Sequence, residues 1–162
     1  ISLYNMGIRR EASDQLLARW EAEARLRLVD YEPMRIVFSF GCNDSHLVDG
    51  APRVAVAQTL KNARAMLTAA RALAPVLMVG PPPVVDPGVC ARAEALNAAL
   101  LALCARLQVP FIDVFQPLMA GGLWQAEAAA WDGAHPGAAG YQQMADLVGA
   151  HPAWRRFTQA AE

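Results

Sequence analysis

Residues 34–44 read MRIVFSFGCND, and the fold class follows from how this stretch is parsed. Residues 34–41 are a near-continuous apolar run ending in glycine, as expected of a strand covered on both faces. Cys42, Asn43 and Asp44 follow where such a strand would turn. Downstream, helical and strand patterns alternate. Val56, Leu60, Ala63, Leu67 and Ala70 recur at intervals of four and three, a helical stripe. VLMVG at 76–80 reads as the next strand, stopped by Pro81, Pro82 and Pro83. Leu96, Leu100, Leu103 and Leu107 repeat the stripe, PFIDVF at 110–115 is a short strand, and Gly121-Gly122 is a turn. A last long helix is predicted over 136–148, with Pro136 in its first turn and Tyr141, Met144, Ala145 and Val148 facing inward. Upstream, ISLYNMG at 1–7 is rich in strand formers. Ser13 is expected to cap a helix that carries Leu16, Trp20 and Ala24 on one face. Strands separated by helical stripes call for parallel pairing through right-handed crossovers, so the class is a layered α/β sandwich, read as one domain over 1–162.

Composition narrows the function. The chain has 162 residues, is 55% hydrophobic and carries a net charge of −1. Lys61 is its only lysine. With no basic surplus or stripe, nucleic-acid binding has no support. No uncharged apolar run reaches the ~18 residues of a membrane span. Cys42, Cys90 and Cys104 form no CxxC pair, and an odd, sparse count leans towards a reducing compartment such as the cytoplasm. His46, His135 and His151 share no metal-ligand spacing, so neither a metal nor another cofactor is expected.

In an open parallel α/β sheet, ligands bind beyond the carboxyl ends of the strands. Gly7, Gly41 to Asp44 and Pro81-Pro82 each follow a predicted strand, and WDGAHP at 131–136 precedes the final helix. All four belong on that rim. Asp132 stands three residues before His135, a spacing that lets a carboxylate hold an imidazole in one tautomer. Asn43 offers a neutral amide donor for a developing oxyanion, and Gly7 a backbone N–H with no Cβ in the way. Each fragment also has a plainer reading: Asn43-Asp44 as a turn or cap, DGAHP as a turn before a helix, Gly7 as a tight corner.

Taken together and in this order, NMGIRREAS at 5–13, GCND at 41–44 and DGAHP at 132–136 resemble three sequence blocks of the SGNH hydrolases, also called GDSL-type esterases and lipases. The resemblance covers nearly the whole chain. It implies a flavodoxin-like three-layer α/β/α fold with strand order 2-1-3-4-5. It also implies a serine nucleophile, Asp132 and His135 as the other triad members, and Gly7 and Asn43 as oxyanion donors. The substrate class implied is a small ester, cleaved through an acyl-enzyme.

The family's GDS-type block is absent here. Ser2, Ser13, Ser39 and Ser45 are the only serines, and none follows a Gly-Asp pair. No G-x-S-x-G elbow exists either. ISLYNMG matches the second strand of the fold, so the expectation is that the central strand and the serine precede residue 1. Without that strand, a gap of about 10 Å, two strand spacings, would separate the first two predicted strands. The competing readings are an inactive binding domain of the same fold, a Cys42–His135 pairing, and an acyltransferase that admits an alcohol in place of water. Arg9 and Arg10 could meet an acidic substrate group or be solvated charges. Trp124 and Trp131 could wall a pocket or pack in the core.

Overall fold

The computed structural model describes residues 2–29 and 32–159. From the N-terminus the elements are α1 (Ser13–Arg25), β1 (Ile36–Phe38), a 3-10 turn (Asn43–Ser45), β2 (Leu47–Val48), β3 (Ala51–Pro52) and α2 (Val56–Arg71). There follow β4 (Val76–Val79), α3 (Pro87–Leu107), β5 (Phe111–Ile112), α4 (Phe115–Gly121), α5 (Leu123–Ala129), α6 (Ala138–Ala150) and α7 (Pro152–Thr158). β1, β4 and β5 form a parallel sheet in that order, with Ile36 opposite Val76 and Met78 opposite Phe111.

The sandwich is legible in β4, whose side chains alternate between two cores as the pleat demands. Val76 and Met78 pack with Trp20 of α1, Met66 and Leu67 of α2, and Leu96, Leu100 and Leu103 of α3. Leu77 and Val79 face the other way, onto Ile112, Leu118, Trp124 and Ala153. Helices therefore cover both faces, which gives the three-layer α/β/α fold. Helix α3 is long and apolar enough to cross a membrane by length and composition alone. Its stripe of Ala93, Leu96, Leu100 and Leu103 is instead buried against the sheet.

Several local expectations change. Residues 2–8 carry no strand, and Leu3, Tyr4 and Ile8 are exposed; Ile1 lies outside the described residues. A strand is held by its ladder partner, and among the described residues β1 pairs only with β4. β1 is also covered on one face only: Ile36 and Phe38 pack into the first core, while Val37, on the opposite face, is exposed. Val56, Tyr141 and Ala145 also face outward.

Two helix starts move because their caps come from elsewhere in the chain. Ser13 is not a cap but the first residue of α1, fully buried, and its N–H donates to the carboxylate of Asp44 (3.1 and 3.3 Å). Pro136 precedes α6, whose N-cap is Gly137. There the N–H of Gly140 donates to Glu127 Oε2 of α5 at 2.7 Å. In both cases an acid satisfies an orphan N–H and meets the positive end of the helix.

Candidate active site

The strongest pairing lies in the turn before α6. Gly133, at φ +80°, takes a left-handed conformation that lets the chain fold back over Asp132. Asp132 Oδ1 then accepts the N–H groups of Ala134 (3.0 Å) and His135 (2.9 Å), while Oδ2 lies 2.7 Å from His135 Nδ1. These contacts, the His135 N–H first and its ring second, lower the Asp132 pKa to about 2. A carboxylate held ionised can only accept, so Nδ1 carries the proton and Nε2 is left as a base. Both side chains are open to solvent. The turn is anchored to its surroundings: Gly133 N–H donates to the Ala128 carbonyl, and Val85 N–H to the Gly133 carbonyl, each at 2.8 Å.

The second fragment turns at Gly41, where φ is +116° and a Cβ would come within 3.1 Å of Leu96 and 3.7 Å of Pro81. Beyond it the 3-10 turn is locked by Asp44, which is 1% exposed. Besides Ser13, the carboxylate accepts Thr59 Oγ1–H at 2.9 Å, and Asn62 Nδ2 donates to Ser13 Oγ at 3.0 Å. The sequence suggests a turn or a helix cap for Asp44. In the structure it ties the GCND segment to α1 and α2. Its neighbour Asn43 points a side-chain N–H at the Glu11 carbonyl, 3.0 Å away. Gly7 donates its N–H to Asn5 Oδ1 at 3.0 Å, on the exposed surface. Each of these two N–H donors is thus already satisfied by an oxygen of this chain.

The loop after β4 links the two fragments. Pro81 adjoins Gly41, Val85 binds Gly133, and the carbonyl of Pro83 between them accepts Trp124 Nε1–H at 2.8 Å. GCND and DGAHP thus flank one loop at the carboxyl end of the sheet. Among the described residues no hydrogen bond joins His135 directly to Asn43 or Gly7. Cys42 is a poor thiolate: burial above all, then Cys90 and Asp44, pushes its pKa to about 11. Trp124 is core, whereas Trp131 is 79% exposed. Trp131 lines a cavity of about 420 Å³ with Glu127, Ala130, His135, Pro136 and Gly137. A larger open groove, about 710 Å³, runs past Leu123, Leu147 and Pro152 and touches none of the expected site residues. Among the described residues no cluster of His, Cys, Asp and Glu could hold a metal ion. Arg9 and Arg10 are exposed.

The comparisons with known proteins bear on the fold and the family. No curated protein matches the sequence. Among solved structures, a lipase/acylhydrolase from Enterococcus faecalis superposes with a TM-score of 0.71 at 23% identity, covering 93% of this chain and 75% of that one. An acetylxylan esterase from Geobacillus stearothermophilus gives a TM-score of 0.75 at 18% identity, with 96% and 72% covered. A GDSL-like lipase from Bacteroides thetaiotaomicron gives 0.71 at 23%, with 88% and 71% covered. At such identities the likeness shows the shared fold. The sequence itself matches the GDSL-like lipase/acylhydrolase family over residues 1–143, a span that contains both polar fragments. By that match, the chain belongs to the GDSL-like lipase/acylhydrolase family.

Proposed function

We propose that this chain forms the acid–base and oxyanion side of a serine esterase acting on a small ester through an acyl-enzyme. The observation that carries the reading is the Asp132–His135 pair, 2.7 Å apart, with Nδ1 protonated and Nε2 free. A serine hydroxyl placed at Nε2 gives up its proton as it attacks the ester carbonyl. His135 then passes that proton to the leaving alcohol, and water repeats the attack with His135 as base. Asn43 Nδ2 and Gly7 N–H stabilise the oxyanion, exchanging Glu11 and Asn5 for the substrate oxygen. The cavity between Trp131 and His135 offers room for the alcohol.

The nucleophilic serine is proposed to be none of Ser2, Ser13, Ser39 and Ser45. Ser13 Oγ accepts from Asn62 and Ser45 Oγ donates to the Gly41 carbonyl (3.2 Å). Among the described residues no serine is hydrogen-bonded to His135. The same fact favours a second reading, a binding domain that keeps the fold and pocket without turnover. Hydrolysis of p-nitrophenyl acetate by the full natural polypeptide separates the two. In that assay Asn43→Ala is expected to lower kcat by about 10²–10³-fold with little change in KM. A loss under about threefold would remove Asn43 from the oxyanion role. An acyltransferase differs only in its acceptor, so adding a small alcohol and measuring transesterification against hydrolysis decides between them.

A further inference from the structure

Arg19 lies on α1, outside every sequence block that suggested a site, yet its guanidinium makes four hydrogen bonds to three residues. Nε donates to Glu11 Oε1 and Nη2 to Glu11 Oε2, both at 2.5 Å, while Nη1 donates to Glu23 Oε1 at 2.8 Å. Nη2 also donates to the main-chain carbonyl of Met6 at 2.7 Å. The Arg19 and Glu11 side chains are only 18% and 11% exposed. By contrast, Arg25–Glu21 on the same helix is an ordinary surface pair, with side chains 58% and 42% exposed. A bidentate fork of this kind fixes direction as well as distance, which a lysine cannot do.

We infer that Arg19 is a positioning residue for both oxyanion donors. This rests on the oxyanion role proposed above for Gly7 and Asn43. The Met6 carbonyl and the Gly7 N–H belong to one peptide unit, which is planar and trans, so the two groups point in opposite directions. Holding the Met6 oxygen therefore sets where the Gly7 N–H points. It also polarises the amide and strengthens that N–H as a donor. The other arm runs through Glu11. Its carboxylate is clamped by Arg19, its N–H closes a turn onto the Ile8 carbonyl (3.2 Å), and its own carbonyl receives Asn43 Nδ2. One cation thus fixes the 6–11 segment at both ends. That segment has no strand partner among the described residues, so these contacts, together with the Arg53 guanidinium on the Arg10 carbonyl, carry its orientation.

The test uses the full natural polypeptide and p-nitrophenyl acetate. Arg19→Lys keeps the charge and loses the fork. It is expected to lower kcat about 10- to 100-fold, a fraction of what losing a donor outright does, with KM within about twofold. Arg25→Lys is the control and leaves kcat unchanged. In the double variant with Asn43→Ala the two losses are expected to combine to less than their product, because both act on the same oxyanion. If Asn43→Ala lowers kcat and Arg19→Lys does not, the inference falls while the esterase reading stands. Fully multiplicative losses also overturn it. If Asn43→Ala has no effect, the oxyanion reading fails first. Should Arg19→Lys not fold, Glu11→Gln decides: it leaves the Glu11 carbonyl in place and weakens only the clamp. A kcat loss at constant KM supports the inference, and an unchanged kcat overturns it.

Discussion

Replacing His135 by alanine is expected to lower kcat for p-nitrophenyl acetate by about 10⁴-fold or more, with the fold intact. The side chain is exposed and among the described residues its only polar partner is Asp132, so the loss falls on chemistry and not on packing. Asp132→Asn is expected to be nearly as damaging, about 10⁴-fold, although it preserves size. An asparagine can present its NH₂ to Nδ1, which favours the tautomer with its proton on Nε2, where the serine's proton must go. The pH dependence follows from the same geometry. Asp132 is lowered from 3.8 to about 2, so its favourable contribution is complete above about pH 3.8 and disappears only as pH falls through about 2. Activity lost on mild acidification is therefore not expected to come from Asp132, which is still charged there. A His135→Ala variant retaining more than a tenth of the activity would remove the dyad from the mechanism.

The largest effect on stability is expected at Asp44. Alanine there would leave the Ser13 N–H buried without an acceptor, reduce the Thr59 hydroxyl to its longer 3.4 Å bond to the Ala55 carbonyl, and strip the positive end of α1 of its carboxylate. At about 1–3 kcal/mol for the stranded N–H and about 1 kcal/mol for the lost charge at the helix end, the loss is about 3 kcal/mol. For a chain of this size that lowers Tm by about 6–12 °C in calorimetry. Asp44→Asn keeps the size and one acceptor oxygen, so most of the loss is recovered. A Tm for Asp44→Ala within about 2 °C of the parent would show that the buried network carries no weight. Because Asn43 is the adjacent residue, the same variant is expected to lose kcat as well.

What the sequence made legible, and what it hid, divides along one physical line. Periodic burial was readable: the runs at 76–80 and 110–112, and the leucines of α3, announce their own surroundings. So was the dyad, because Asp132 and His135 meet within a single turn. Contacts between distant segments were not. Asp44 reads as an ordinary turn residue until α1 and α2 come to rest on it, and Glu127 as an ordinary helix residue until Gly140 arrives. Arg19 shows only its i,i+4 pairing with Glu23 in the sequence, since Glu11, eight positions back, lies before α1 begins. The β2–β3 hairpin is the exception, because Asp49 and Gly50, with φ of 51° and 80°, form a tight-turn pair that is local in sequence. The strand expected over 1–7 failed for the opposite reason. Its residues favour extended structure, but preference without a partner does not make a ladder.

The central claim is that His135 serves a serine that becomes acylated. It is tested most directly by treating the full natural polypeptide with a fluorophosphonate ester and locating the adduct by mass spectrometry. The account predicts a single adduct on a serine other than Ser2, Ser13, Ser39 and Ser45, with its formation abolished by His135→Ala. Label on Cys42, or no adduct while p-nitrophenyl acetate is still turned over, would contradict it.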